Sequence, residues 1–248
     1  MENKIMAFGD IHGCYLAAQA AVSLAKKKSA HAVFLGDYVD RGPDSIKTLE
    51  ILIGAKKKNP TWVFLRGNHD QMLLDLIEEK QQPNTCFGII AGETSNEQTT
   101  KVFYQWQKSN DVLKQEIESF LRGTVFYHEL DKRIFVHSPL RDSSVALNEK
   151  SQEELIWNYN LKPTWNGKQF IHGHAPVETP VGLNQGININ TSCGYGGLLT
   201  GMLVDISCPY PDKNPKLFRE KLISFSITEN GIIKDQNDFL DLYFRESV

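Results

Sequence analysis

Ile5-Met6-Ala7-Phe8-Gly9-Asp10-Ile11-His12-Gly13 is an apolar run of strand length that stops at a glycine and delivers an aspartate and a histidine. A short apolar run bounded by a turn signal reads as a buried strand. The pattern returns twice. His31-Ala32-Val33-Phe34-Leu35 ends in Gly36-Asp37-Tyr38-Val39-Asp40-Arg41-Gly42, and Trp62-Val63-Phe64-Leu65 leads to Gly67-Asn68-His69-Asp70. Helical stretches lie between them. Tyr15 to Leu24 is rich in Ala and Leu and closes at Lys26-Lys27-Lys28. A second stretch is capped by Asp44, carries Ile46, Leu49 and Ile53 on one face, and closes at Lys56-Lys57-Lys58. Lysines at the carbonyl end of a helix answer its dipole, a plainer reading than an anion site. The β-α-β-α-β order predicts a parallel sheet whose polar motifs gather at the carboxyl ends of its strands, the edge where open α/β sheets bind ligands.

Residues 81 to about 130 are polar and poor in strand signals, with one helical candidate from Thr100 to Leu121. They read as an insertion over the site within a single domain spanning 1–248. Beyond them the chain turns strand-rich at Arg133–Val136, Gln169–Ile171, Ile187–Ile189 and Leu198–Ile206. A closing hairpin follows, with Ile223, Phe225 and Ile227 alternating against polar residues and Asn230-Gly231 as its turn.

The 248 residues are 41% hydrophobic and 23% charged, and 27 basic against 30 acidic side chains leave a net charge of −3. That composition supports a large core and excludes a basic surface for nucleic acid polymers or anionic membranes. No apolar run approaches the ~20 residues of a membrane span. Met1 to Lys4 leads into the first strand without an apolar signal region, and Cys14, Cys86, Cys193 and Cys208 show no CxxC spacing. Both features predict a cytoplasmic protein with reduced thiols.

Two more histidines stand at strand ends: His137 directly after Ile134–Val136, and His174 after Phe170-Ile171 and Gly173. Carboxylate, imidazole and carboxamide groups therefore recur on the loop side of the fold, interleaved with glycines that let the chain turn and a ligand approach. Such N and O donors suit Mn, Fe or Zn. A shared carboxylate with two or three such ligands on each side is what a centre of two divalent metal ions needs. His31 and His128 lie outside any motif and read as structural. His172 is read as packing, a ligand, or a donor behind one. Phe103, Tyr104 and Trp106 are read as core packing or as a nucleobase contact, and Cys193 as packing or a redox-sensitive thiol.

The three motifs resemble the phosphoprotein phosphatase family within the calcineurin-like metallophosphoesterases, whose pattern is GDxHG, GDxVDRG and GNHE. The resemblance runs from Ile5 to about Thr200. It implies an α/β metallophosphoesterase sandwich with two central mixed β-sheets flanked by helices. It also implies that Asp10 and His12 hold one metal, that Asp37 bridges, and that Asn68, His137 and His174 complete the second. His69 would be the general acid, oriented by Asp40, and Arg41 would clamp phosphate with Asn68 beside it. The implied reaction is in-line attack of a metal-bridging hydroxide on a phosphoric ester or anhydride. The first substrate reading is phosphoserine, phosphothreonine or phosphotyrosine in proteins. The alternative is symmetrical hydrolysis of a dinucleoside polyphosphate such as diadenosine tetraphosphate, and a minor one is a non-catalytic phosphate-binding protein.

Three departures from the pattern matter. Asp70 stands where the family usually has Glu, a change expected to have a modest effect. Trp157-Asn158-Tyr159 replaces the bacterial Trp-x-Arg segment, which leaves the second phosphate-binding arginine unassigned, with Arg141 as a candidate substitute. Asn190-Thr191-Ser192-Cys193 replaces an Asp-Thr-Gly segment and reads as structural.

Overall fold

The computed structural model describes residues 4–80, 89–90, 93–159, 165, 167–183, 185–205, 222–227 and 233–235. Its first part follows the expected alternation: β1 (Lys4–Phe8), α1 (Tyr15–Lys27), β2 (His31–Phe34), α2 (Ser45–Lys58), β3 (Val63–Phe64) and α3 (Asn68–Ile77). A short pair, β4 (Ile89–Ile90) and β5 (Glu93–Thr94), precedes α4 (Ser95–Lys108) and α5 (Asp111–Arg122). Then come β6 (Tyr127–Glu129), β7 (Arg133–Val136), α6 (Gln152–Ile156), β8 (Gln169–His172), β9 (Val181–Leu183), β10 (Gly186–Asn188) and β11 (Leu199–Asp205). The closing strands are β12 (Leu222–Ile227) and β13 (Ile233–Asp235), which pair antiparallel; the Asn230-Gly231 turn lies outside the described residues.

Two mixed sheets form the centre, with strand orders β13-β12-β11-β1-β2-β3 and β6-β7-β8-β10-β9. β1, β2 and β3 are parallel, as the strand-helix alternation requires, and β11 lies antiparallel to β1 with Val204 opposite Ile5. The two-residue period of a strand explains the layering. Ile5, Ala7, Val33 and Leu35 face inward and meet Phe135, Ile171, Ile187 and Ile189 of the second sheet. Met6, Phe8, Phe34 and Phe64 face outward beneath the helices. There Phe8, Phe34 and Phe64 stack in a row, with ring centroids 5.0 and 4.8 Å apart. The outer face of the second sheet buries Ile134, Val136 and Phe170 against Leu140, Leu155, Ile156 and Trp165.

Both lysine triplets close their helices, with Lys26 and Lys27 in the last turn of α1 and Lys56 to Lys58 in that of α2. The Asp44 carboxylate accepts from Lys47 N–H at 2.9 Å, as expected of a helix cap. The predicted helix over 100–121 is instead two helices. Asn110 accepts from Leu113 N–H at 3.0 Å and so caps α5, which restarts the chain after a break at Ser109. Phe103 is buried in the core and stacks on Trp106 at 5.6 Å, while Tyr104 is exposed; the first two rings hold α4 in place and are not a surface for a base. Among the described residues no helix is long and apolar enough to cross a membrane.

Candidate metal and phosphate site

The turns after β1, β2, β3, β7 and β8 converge on one point, and the backbone there is strained. Nine described residues other than glycine have left-handed φ, and five of them are His12 (45°), Asp37 (52°), Asp40 (72°), Arg41 (67°) and His174 (67°). A left-handed L-residue costs about 1–2 kcal/mol, so the core must hold these turns in place. Glycine is needed where the turns touch. A Cβ on Gly67 would overlap the Asp37 carboxylate, and one on Gly173 would overlap that of Asp10.

Asp37 lies at the centre. Its Oδ2 is 3.4 Å from His12 Nε2 and 3.5 Å from His137 Nε2, so it faces histidines of both halves. On one side Asp10 lies 4.0 Å from His12 Nε2, and the Asp10 carboxylate accepts from His174 N–H and from the Asn190 amide at 2.7 Å. On the other side Asn68 Oδ1 is 3.1 Å from His137 Nε2 and 2.9 Å from His174 Nδ1. All of these side chains are buried.

The donor set suits two cations. His12 Nδ1–H donates to Val39 C=O at 2.8 Å and His137 Nδ1–H to Leu35 C=O at 2.9 Å. A backbone carbonyl behind each ring fixes the tautomer and aims the Nε2 lone pair at Asp37. Burial lowers His12, His137 and His174 below the ordinary imidazole range, so all three are neutral at pH 7. Burial would raise Asp37, but the positive charge that His137, His69, His12 and His174 carry once protonated in acid holds it below the usual carboxylate range. Asp10 is raised, by burial and then by the Asp37 charge. Lone pairs and carboxylates therefore crowd around Asp37, with the Arg41 guanidinium donating into the group at His12 Nε2, and a divalent ion on each side of Asp37 would satisfy the arrangement. Two overlapping groups, His12–Asp37–His69 and Asp37–His137–His174, have ligand atoms close enough to share an ion. On the first side the Arg41 guanidinium supplies positive charge, with Nη1 2.5 Å from His12 Nε2 and Nη2 3.1 Å from His69 Nε2.

His69 sits in the first turn of α3, where the helix dipole favours an anion. Its Nδ1 is 2.6 Å from Asp40 Oδ2. Burial lowers its pKa, yet the Asp37 charge and the Asp40 hydrogen bond outweigh burial and raise it. Asp70 lies behind this turn, where its carboxylate accepts from Gly67 N–H at 3.0 Å and from Asp37 and Tyr38 N–H at 2.8 Å each. Burial and the Asp37 charge push it up to about 7.

Two contacts were not legible in sequence. Thr99 in α4 is buried and donates its hydroxyl to Asp40 Oδ2, and Gln98 Oε1 accepts from Arg41 N–H at 3.0 Å. They tie α4 to the second motif, but a Thr and a Gln inside a polar helix carry no sequence signal. Thr99→Val keeps the shape and removes the donor. The expected result is a fall in kcat of about tenfold with KM little changed, the worth of one hydrogen bond to a charged group. The alkaline limb of the pH–rate profile, where His69 loses its proton, should shift with it; an unchanged profile and rate would show that Thr99 has no hold on Asp40.

Arg141 is not brought onto the donor set. It is exposed and lines a cleft of about 390 Å³ with Trp157, Asn158 and Tyr159. Tyr159 is the residue of that segment that reaches the site, with its ring centroid 4.0 Å from that of His174. His172 is buried against Phe170 at 5.3 Å and bonds to Gly173 C=O at 3.0 Å, which is packing. Cys193 is buried, and Cys14 Sγ–H donates to its carbonyl at 3.5 Å.

The model of the calcineurin-like phosphoesterase family matches residues 3–197. A bis(5'-nucleosyl)-tetraphosphatase PrpE [asymmetrical] from Geobacillus sp. (strain WCH70) is 25% identical over 230 residues, covering 79% of this chain and 89% of that protein. Among solved structures, one provisionally named a diadenosine tetraphosphatase superposes with a TM-score of 0.61 at 18% identity, covering 89% of this chain and 92% of its own. A protein serine/threonine phosphatase from Saccharomyces cerevisiae superposes with a TM-score of 0.58 at 16% identity, covering 91% and 80%. The two mixed sheets, the strand-end motifs and a match over most of the chain agree: this protein belongs to the calcineurin-like phosphoesterases and is a hydrolase acting on phosphoester bonds.

Proposed function

We propose that the chain is a two-metal hydrolase of dinucleoside polyphosphates. The observation that carries the chemistry is the Asp37 carboxylate set between His12 and His137, with lone pairs aimed at it from both sides. In this reading Asp10, His12 and Asp37 hold one divalent ion, and Asp37, Asn68, His137 and His174 the other. When bound, the ions supply Lewis acidity to the phosphoryl oxygens and a water acidic enough to ionise near neutral pH. Manganese is the ion we propose to load first, with iron and zinc suited to the same N and O donors.

The remaining steps belong to side chains. Arg41 lies between His12 and His69, where its planar fork is placed to grip two phosphate oxygens. Arg41 Nη2 donates to His69 Nε2 in the structure, so in this reading Arg41 moves onto phosphate and Nε2 takes up the proton that it gives to the leaving oxygen. Asp40, itself held by Thr99, fixes the ring through Nδ1 and favours its protonated form. The α4–α5 segment serves as a cover, with Gln98 and Thr99 as its contacts with the site.

The substrate reading is supported by the tetraphosphatase relatives and by the aromatic side chains at the site mouth. The phosphoprotein reading uses the same centre, and one experiment separates the two. Manganese-loaded protein is given diadenosine tetraphosphate and a panel of phosphoserine, phosphothreonine and phosphotyrosine peptides, with Asp37→Asn as control. The expected result is nucleotide turnover with the peptides at least tenfold slower in kcat/KM. Two ADP would mean symmetrical cleavage, and ATP with AMP the asymmetrical cleavage for which the relatives are named. Peptide turnover with an inert dinucleotide would replace this reading by a phosphoprotein phosphatase.

A further inference from the structure

We propose that Tyr195, beside Arg41, and Tyr159, beside His174, are contacts for the planar bases of a nucleotide substrate. This deepens the dinucleoside polyphosphate reading and rests on it. Six large apolar or aromatic side chains are exposed among the described residues, and these two stand at the site, Tyr195 with 60% and Tyr159 with 41% of its surface open. An exposed ring beside a phosphate site is a stacking platform, because every base presents a π-face.

Tyr195 stands at the His12 side. The Arg41 guanidinium lies over its ring at 4.5 Å while its Nη1 and Nη2 reach His12 and His69. The turn Cys193–Tyr195 that presents this ring lies between two left-handed residues, Ser192 at φ 66° and Gly196 at φ 83°. It is pinned by Ser192 N–H to Asn190 Oδ1 and Ser192 Oγ–H to Val177 C=O, each 3.1 Å. Backbone strain held by side-chain bonds fixes the ring's position. Tyr159 stands at the His174 side, 4.0 Å from that ring, with Trp157 at 6.4 Å.

Each side also has room. A cleft of about 330 Å³ lies beside Arg41, lined by Tyr15, Leu16, Pro43 and the glycines that flank Tyr195, Gly194 and Gly196. The cleft of about 390 Å³ with Trp157 and Tyr159 lies on the other side and contains Arg141. One guanidinium separates the Tyr195 ring from the donor set. A ribose spans such a gap, whereas an aryl ring esterified directly to phosphorus stays next to the metal ligands, and phosphoserine has no planar group to stack.

The test measures binding and turnover on the metal-loaded protein. Calorimetry compares AMP with inorganic phosphate, and kinetics compare diadenosine tetraphosphate with tripolyphosphate, which has no base. Wild type is expected to bind AMP about tenfold more tightly than phosphate. That advantage should shrink in Tyr195→Ala and in Tyr159→Ala, disappear when both rings are removed, and persist in Tyr195→Phe, which also controls for misfolding. In each alanine variant kcat/KM for the dinucleotide should fall about tenfold further than for tripolyphosphate. Equal losses on both substrates, or AMP binding no tighter than phosphate in wild type, would overturn the base contacts. So would a Tyr195 dependence seen with p-nitrophenyl phosphate and not with AMP. A tyrosine-dependent AMP advantage in a protein that turns over neither substrate would sink the hydrolase reading and leave the base contacts standing.

Discussion

Asp37→Asn is expected to lower kcat/KM by about 10²–10⁴-fold and to leave the protein folded. The substitution keeps the shape of the side chain and removes the one charge that faces both histidine groups, at 3.4 Å from His12 and 3.5 Å from His137. In the two-metal reading the carboxylate contact to each ion is weakened, by about 1.5–3 kcal/mol apiece on the scale of a charge-assisted contact, and 1.4 kcal/mol is a factor of ten. Metal binding should fail first. Metal analysis of the dialysed protein is expected to give two ions per chain in wild type and one or none in the variant. Wild type should also melt at a lower temperature once a chelator is added, because a ligand that binds only the folded state stabilises it by mass action. The variant's melting point should not respond to the chelator. A variant that retains two ions and full activity would remove Asp37 from the centre of the site and leave the histidine groups without a common partner.

What the sequence revealed, and what it hid, follows from the range of each signal. Strands β1, β2 and β7 and helices α1 and α2 announce themselves locally, through apolar runs, a capping Asp44 and lysines in the last turns. The convergence of Asp10, His12, Asp37, Asn68 and His69 was legible because parallel strands place their carboxyl ends side by side. β6 and β9 were not legible. Each is three residues long, and each becomes a strand only by pairing with β7 or β10, which no local pattern records. The break between α4 and α5 turns on the cap at Asn110, and Ser109-Asn110-Asp111 is a local helix-start signal that a single helix over 100–121 overlooks. Thr99 reaches Asp40 across 59 residues of sequence, a contact made by the docking of α4 and by no motif. The missing arginine showed the opposite limit. The sequence recorded the absence, and only the packing of Tyr159 on His174 shows what stands on that wall.

Asp70→Ala is expected to be the most destabilising single change near the site, although Asp70 touches neither proposed metal position. Its carboxylate accepts from the backbone N–H groups of Gly67, Asp37 and Tyr38, and it is fully buried. Alanine would leave three donors without partners, each costing about 1–3 kcal/mol where water cannot reach. Partial relaxation reduces the total to about 3–5 kcal/mol, which for a chain of this size lowers Tm by roughly 10 °C. Activity should fall as well, because the Asp37 N–H bond helps to hold that residue at its left-handed φ of 52°. Asp70→Glu, the residue more usual in the family, tests the departure itself. The aspartate already satisfies all three donors, so the added methylene has to be fitted into closed space at a cost of about 1–3 kcal/mol. Thermal unfolding of the two variants in the presence of a chelator keeps metal binding out of the comparison. An alanine variant within about 1 kcal/mol of wild type would mean that the turn after β2 holds its shape without Asp70, and that the strain at Asp37 is supported from the core alone.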